Sequence, residues 1–235
     1  MRIAILLSAS RHPVSGRPVL AATEARAIGL ALRLGGEVAG FHAGPGSEAA
    51  RLALGHGLPR LVHLRLGGQE DPLPALHEAL AAFSPRLILC GRRAEGGDET
   101  GLLPYRLAAR LGAPILADAV EIAGNGGHVV QALARGGRRR LPLPAGAVVI
   151  TVHPAAPPAG SFAFALQRRG AVETREAAGP VMATDIEERT MRRRGKLMAA
   201  PGAAPGKSGE RLVDPEAEEA ARAILAHLER IGVLR

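Results

Sequence analysis

Apolar and polar positions follow two alternating periods through the first half of the chain. Residues 2–7, Arg-Ile-Ala-Ile-Leu-Leu, form a short apolar run of the kind buried on both faces of a parallel sheet. A loop with Pro13, Gly16 and Pro18 follows, and then Ala25, Ile28, Ala31, Leu32 and Leu34 recur at helical spacing over about 22–34, stopped by Gly35-Gly36. Residues 38–42 read as a second strand. Gly44-Pro45-Gly46-Ser47 turns the chain, with Ser47 an N-cap candidate for the helix of Ala49, Leu52 and Leu54. Residues 60–65 make a third strand, and Pro72 or Pro74 opens a helix carrying Leu76, Ala79, Leu80 and Phe83. Residues 87–90 are a fourth strand, followed by a helix with Leu102, Leu103, Tyr105, Leu107, Ala108 and Leu111 on one side. The order β-α-β-α-β-α-β-α over 1–112 predicts a parallel sheet covered on both faces. Its ligand crevice should lie beyond the C-terminal ends of the strands, where the loops after strands one, two and four converge.

Beyond Pro114 the pattern shortens. Residues 115–122, 129–134 and 147–152 read as strands separated by Gly124-Asn125-Gly126-Gly127 and Gly136-Gly137, that is, as hairpins extending the same sheet. Residues 153–213 are rich in proline and glycine with little periodicity, and Asp214-Pro215 starts a closing helix with Ala217, Ala220, Ala221, Ile224, Leu225 and Leu228 on one side. The expected organisation is a nucleotide-binding α/β domain over 1–152, an extended partner-binding arm over 153–213 and a C-terminal helix over 214–235. So long a stretch without regular structure suits an arm lying on another chain; a disordered linker is the competing reading. The fold class expected is α/β: a Rossmann-like, doubly wound, mostly parallel sheet with an antiparallel extension.

Composition narrows the chemistry. The chain of 235 residues is 47% apolar, sufficient for a substantial core, but it has four Phe, one Tyr and no Trp. The core is therefore aliphatic, and platforms for stacking bases are missing. The net charge of +8 suits anionic partners without choosing among them. Arg138-Arg139-Arg140, Arg192-Arg193-Arg194 and Lys196 suggest nucleic acid by charge alone, with no reader motif to support it. Cys90 is the single cysteine, which excludes an internal disulfide, and its place at the end of an apolar strand predicts a buried thiol. The eight histidines show no metal-ligand spacing. The first residues do not read as a charged leader with an apolar core, and no apolar run approaches the ~20 residues of a membrane span, so a cytoplasmic, non-membrane-spanning protein is expected.

The segment from the fourth strand into the following helix is the candidate anion site. Gly91, Gly96, Gly97 and Gly101 let the backbone approach a ligand, and a helix N-terminus offers unpaired N–H groups with partial positive charge. The spacing is neither that of the Walker loop nor G-x-G-x-x-G, and a solvated βα loop is the plain alternative.

Four phrases carry a family resemblance. Ala31-Leu32-Arg33-Leu34 ends the first helix. Ala43-Gly44-Pro45 leads from the second strand into the helix of Ala50-Arg51-Leu52-Ala53-Leu54-Gly55-His56-Gly57. The loop after strand four runs from Gly91-Arg92-Arg93-Ala94 through Gly97 and Asp98 to Pro104, and the chain closes with Leu228-Glu229-Arg230-Ile231-Gly232-Val233-Leu234. By these phrases it resembles the beta subunit of electron transfer flavoproteins over nearly its full length. The resemblance implies an adenine-nucleotide alpha-hydrolase-like fold, an AMP in this subunit and an alpha-subunit partner that carries FAD. It implies that Leu6, Ser8, Ala43 and Gly44 approach the adenosine. It further implies that Gly91, Arg92, Arg93, Ala94, Glu95, Gly96, Gly97, Asp98, Glu99, Thr100 and Gly101 surround the phosphate. The chain would then be an electron carrier subunit without catalytic residues of its own, serving a flavin-dependent dehydrogenase and an electron-accepting oxidoreductase.

Departures from the family pattern sharpen two points. Arg93 stands where the family has Gln, and adds a cation that can bind phosphate bidentately or pair with Glu95 or Glu99. The region of the family's recognition loop lacks its Tyr and carries Phe162 and Phe164, read as partner-docking anchors or as packing of the arm. A second FAD in place of AMP stays open. So does a stand-alone adenine-nucleotide-binding regulator of the universal-stress kind, which would share the sheet and the glycine corner but not need the arm.

Overall fold

A computed structural model describes residues 1–12, 14–95, 99–123, 127–182, 212–230 and 232–234. They fall in two compact units, Met1–Thr184 and Asp185–Arg235. The first unit begins β1 (Arg2–Leu6), α1 (Ala22–Leu34), β2 (Glu37–Gly44), α2 (Glu48–Gly55), β3 (Arg60–Arg65), α3 (Pro72–Phe83), β4 (Leu87–Gly91) and α4 (Leu103–Leu111), the predicted alternation. It continues with β5 (Ile115–Ile122), β6 (His128–Ala132), β7 (Arg138–Pro142), β8 (Val148–Val152), α5 (Phe164–Arg169) and β9 (Ala171–Glu176).

The nine strands form one sheet in the order β7-β6-β5-β8-β4-β1-β2-β3-β9. From β3 across to β5 every neighbour is parallel, and the β5–β6 and β6–β7 pairings are antiparallel. Side chains of β1 divide between the faces with period two. Ile3 and Ile5 pack with Ala27, Ile28 and Ala31 of α1 and Ala53 and Leu54 of α2. Ala4 and Leu6 pack with Leu76 and Leu80 of α3 and Leu107 of α4. After β1 the chain proceeds outward through β2 and β3, then returns to place β4 on the other side of β1. The connections leaving β1 and β4 therefore diverge to opposite faces and open a crevice between them, the usual ligand position in such sheets.

Three features differ from the sequence reading. Residues 147–152 are not a hairpin strand. As β8, Val148–Val152 lies between β4 and β5, parallel to both, and all five residues are buried. The unbroken run Val-Val-Ile-Thr-Val is what a strand covered on both faces requires. The hairpin partner of β6 is instead β7, whose Arg138, Arg139 and Arg140 are exposed, with Arg139 donating to Gln131 Oε1. A charged edge strand discourages edge-to-edge pairing with other chains, a sufficient account of this cluster without nucleic acid.

The third difference lies in the stretch read as having little regular structure. Residues 164–176 form α5 and β9, and β9 adds to the sheet beside β3 over six paired residues. Gly170 lets this segment approach α2, since a Cβ there would sit 2.8 Å from Leu54. Residues 177–182 then return past the β3–α3 connection, where Asp71 N–H donates to Pro180 O and Met182 N–H to Gln69 O.

Helix capping was partly legible. Ser47 holds the cap position of α2 but makes no side-chain capping bond. At α3, Asp71 Oδ1 accepts from Leu73 N–H at 3.0 Å with Pro72 in the first turn. In the second unit, α6 (Ala217–Arg230) follows Pro215, and none of its residues is buried. Arg192-Arg193-Arg194, Lys196 and the rest of residues 183–211 of the predicted arm lie outside the described residues.

Candidate functional site

The crevice between the β1 and β4 connections is a cleft of about 390 Å³. It is bordered by Leu6, Leu7 and Ser8 after β1, by His42, Ala43 and Gly44 at the end of β2, by the 66–71 turn after β3, by Gly91, Arg93 and Ala94 after β4, and by Leu102, Leu103 and Pro104 at the start of α4. Four parallel strands thus deliver their C-terminal ends to one place, because their registers are nearly level: Leu6 pairs with Phe41, and Gly44 with Arg65.

The glycine loop is held by contacts that only small residues permit. A Cβ on Gly91 would lie 2.7 Å from Thr23 Oγ1, so β4 can close on the start of α1 only with glycine there. Gly101 has φ +74, and a Cβ there would press on the Arg92 carbonyl. Glu95 N–H donates to Ser8 Oγ at 3.2 Å, and Ser10 Oγ donates to Glu95 Oε2 at 3.3 Å, tying the loop to the β1 connection.

The expected site residues separate into three groups. Leu6, Ser8, Ala43, Gly44, Gly91, Arg93 and Ala94 all border the cleft. Arg92, Glu95, Thr100 and Gly101 belong to the same loop without bordering it: Arg92 Nε is ion-paired with Asp118 Oδ1 at 2.9 Å, and Thr100 Oγ1 accepts from Leu102 N–H. Glu99, at φ +49, is also off the lining. Gly96, Gly97 and Asp98 lie outside the described residues. Arg93 is exposed and has no ion-pair partner among the described residues; it does not pair with Glu95 or Glu99.

The bordering side chains missed by the sequence reading include Glu24, Asp71, Arg106 and Met182. Arg106 of α4 reaches Asp71 Oδ2 at 2.9 Å, so its charge is largely compensated. Glu24 sits in the first turn of α1, is 2% exposed, and accepts the Ser8 N–H on Oε1 at 3.0 Å. Burial pushes its carboxyl up to about 7, against the pull of Ser8; the Glu95 charge adds a smaller push. Helical spacing alone places Glu24 beside the apolar face of α1, the one signal in the sequence that it is not solvated.

The remaining polar groups here are structural. Cys90 is buried, its thiol is pushed up to about 12 by desolvation, and Sγ lies 3.7 Å from Ile150 O, a setting that keeps it un-ionised. His42 places Nδ1 2.9 Å from Leu7 O and Nε2 2.7 Å from Gly46 O; burial lowers its pKa. His63 reaches Gly44 O at 2.9 Å and stacks on His42. The pair fixes the turn that presents Ala43 and Gly44. Among the described residues no cluster of side chains suits a metal ion.

Away from the cleft, Phe162 is 44% exposed and packs edge-on against His56 with ring centroids 5.5 Å apart. Phe164, at the start of α5, is 66% exposed.

The model of the electron transfer flavoprotein domain family matches residues 15–184. Electron transfer flavoprotein subunit beta from Chromohalobacter salexigens is 38% identical over 260 aligned positions, covering all of this chain and 96% of the relative. The chain belongs to the electron transfer flavoprotein beta-subunit family. The match to the domain model of that family spans α1 through β9, so it includes the glycine loop, the α5–β9 edge and the border of the cleft apart from Leu6, Leu7, Ser8 and Ala9. Among the described residues no helix is long and apolar enough to cross a membrane.

Proposed function

We propose that this chain is the beta subunit of a heterodimeric electron transfer flavoprotein, that its cleft holds AMP as a structural ligand, and that it supports FAD on an alpha subunit. The observation that carries the AMP assignment is the cleft at the β1/β4 divergence, with an exposed Arg93 at its border that has no ion-pair partner among the described residues. Main-chain groups of Ser8, Ala43 and Gly44, the N-terminal turn of α4 and the Arg93 guanidinium would hold the nucleotide, the last by charge-assisted bonds to phosphate. When bound to the alpha subunit, FAD supplies the one- and two-electron chemistry between a flavin-dependent dehydrogenase and an electron-accepting oxidoreductase. This chain positions and shields, and none of its residues acts as an acid, base or nucleophile.

The residues 153–213 serve the partner, with Phe164 and Phe162 docking the dehydrogenase. Phe164 is the better anchor, because Phe162 already covers Gly55 and His56. Co-expression with the alpha subunit tests the whole reading. A yellow heterodimer with one FAD is expected, and its Phe164→Ala form should assemble normally yet accept electrons about tenfold more slowly from the dehydrogenase. A colourless, flavin-free homodimer would instead support a stand-alone nucleotide-binding regulator. Phe164→Ala with unchanged electron uptake would remove the docking role. A cytoplasmic location accompanies this reading, and fractionation of the native host checks it.

A further inference from the structure

The carboxyl of Glu24 is only half used by the fold. Its Oε1 takes the Ser8 N–H, but Oε2 is buried without a hydrogen-bond partner, and the side chain borders the cleft. Among the described residues no cation answers it. The charged and titratable groups facing it are Glu95 from the β4–α4 loop, of the same sign, and the neutral Cys90 thiol of β4. Of the cleft's cations, Arg106 is bound to Asp71, and Arg93 makes no ion pair with Glu24. An ionised carboxylate in this setting would be strongly penalised, so the pocket selects the neutral acid, which has a proton to donate.

We propose that Glu24 reads the nucleoside part of the bound nucleotide: its carboxyl enters the complex in the neutral form, keeps Oε1 on the Ser8 N–H, and donates the Oε2 proton to an uncharged acceptor, a ring nitrogen or hydroxyl. This rests on the reading of the cleft as a nucleotide site. It divides the ligand by charge, with Arg93 taking the anionic end and Glu24 the neutral end. Burial, which raises the carboxyl to about 7, puts the exchange of that proton within the working pH range. Above this value the ligand must bind together with a proton. Other titratable groups at the cleft are engaged elsewhere. His42 faces the Leu7 and Gly46 carbonyls, Glu70 accepts the Gly67 N–H, and Asp71 holds Arg106.

The test titrates the full-length chain, freed of co-purified nucleotide, with adenosine and with AMP by calorimetry between pH 6 and 8.5. Adenosine is the decisive probe because it lacks a phosphate that titrates in this window. Wild-type affinity for adenosine should fall about tenfold per pH unit above about 7, with proton uptake seen as a buffer-dependent heat. Glu24→Gln, which keeps both an acceptor for Ser8 and a donor for the ligand, should bind at the low-pH wild-type level with no pH slope. Adenosine binding that is flat with pH in the wild type overturns the proposal, as does a Glu24→Gln chain that retains the slope or a wild type that binds AMP but not adenosine. The wild-type slope and proton uptake decide the matter even if the variant fails to fold. Failure of the folded chain to bind either ligand at any pH would sink the nucleotide reading along with it.

Discussion

The two sides of the cleft handle charge in opposite ways. At its floor, Glu24, Ser8 and Cys90 are buried, and the Glu24 carboxyl is forced toward its neutral form. At its border, Arg93 is exposed and unpaired among the described residues, while its neighbour Arg92 is committed to Asp118. Adjacent arginines on one loop thus serve different ends: one fastens the loop to β5, the other faces the cleft. The lesson is that position relative to the β1/β4 divergence, more than residue type, decides which charge is available to a ligand.

The contrast is most severely broken by closing the floor. Gly91→Val would drive a branched side chain into Thr23, and the expected loss is about 3 kcal/mol or more in denaturant unfolding, with nucleotide lost as a result. A variant as stable as wild type would show that β4 does not close on α1 as described.

Glu24→Gln probes the floor's electrostatics without changing its shape. Burial pushes the folded carboxyl from its ordinary 4.5 up to about 7, so the native state holds its proton longer than the unfolded chain. Wild-type stability conferred by this proton is complete below about pH 4.5 and is lost as pH rises to about 7. The Gln variant, with nothing to titrate, should therefore be more stable than wild type by about 3 kcal/mol at pH 8, the difference shrinking to nothing near pH 4.5. A pH-independent difference in urea unfolding would contradict the buried neutral acid.

At the other extreme, Arg92→Ala removes a half-exposed ion pair and should cost under about 1 kcal/mol, leaving nucleotide affinity unchanged. A marked fall in affinity would place Arg92 at the ligand.

Much of this was legible in the chain. The 3.6-residue and continuous apolar runs of residues 1–112 marked the four βα units, and unit order alone located the cleft. Ala43 and Gly44 came with the family resemblance, and Gly91 with the glycine-rich corner after the fourth strand. What escaped depended on tertiary neighbours. Val148–Val152 reads the same as a hairpin strand or a central one until β4 and β5 are known to flank it. Residues 171–176, with four charged or polar side chains, have no inward pattern because β9 is an edge strand paired on one side, with β3. Glu24 sits among helix-surface candidates by type, and only the fold shows that the start of α1 is covered by Ser8 and the glycine loop.

The central claim is that the β1/β4 cleft holds one adenine nucleotide anchored by Arg93. Its most direct test is the nucleotide content of the purified heterodimer, released by denaturation and quantified by chromatography, in wild type and in Arg93→Glu. One AMP per beta chain beside one FAD is expected in the wild type, and loss of most of the AMP with FAD retained in the variant. A wild type without AMP, or a charge-reversed variant with its AMP intact, would contradict the account.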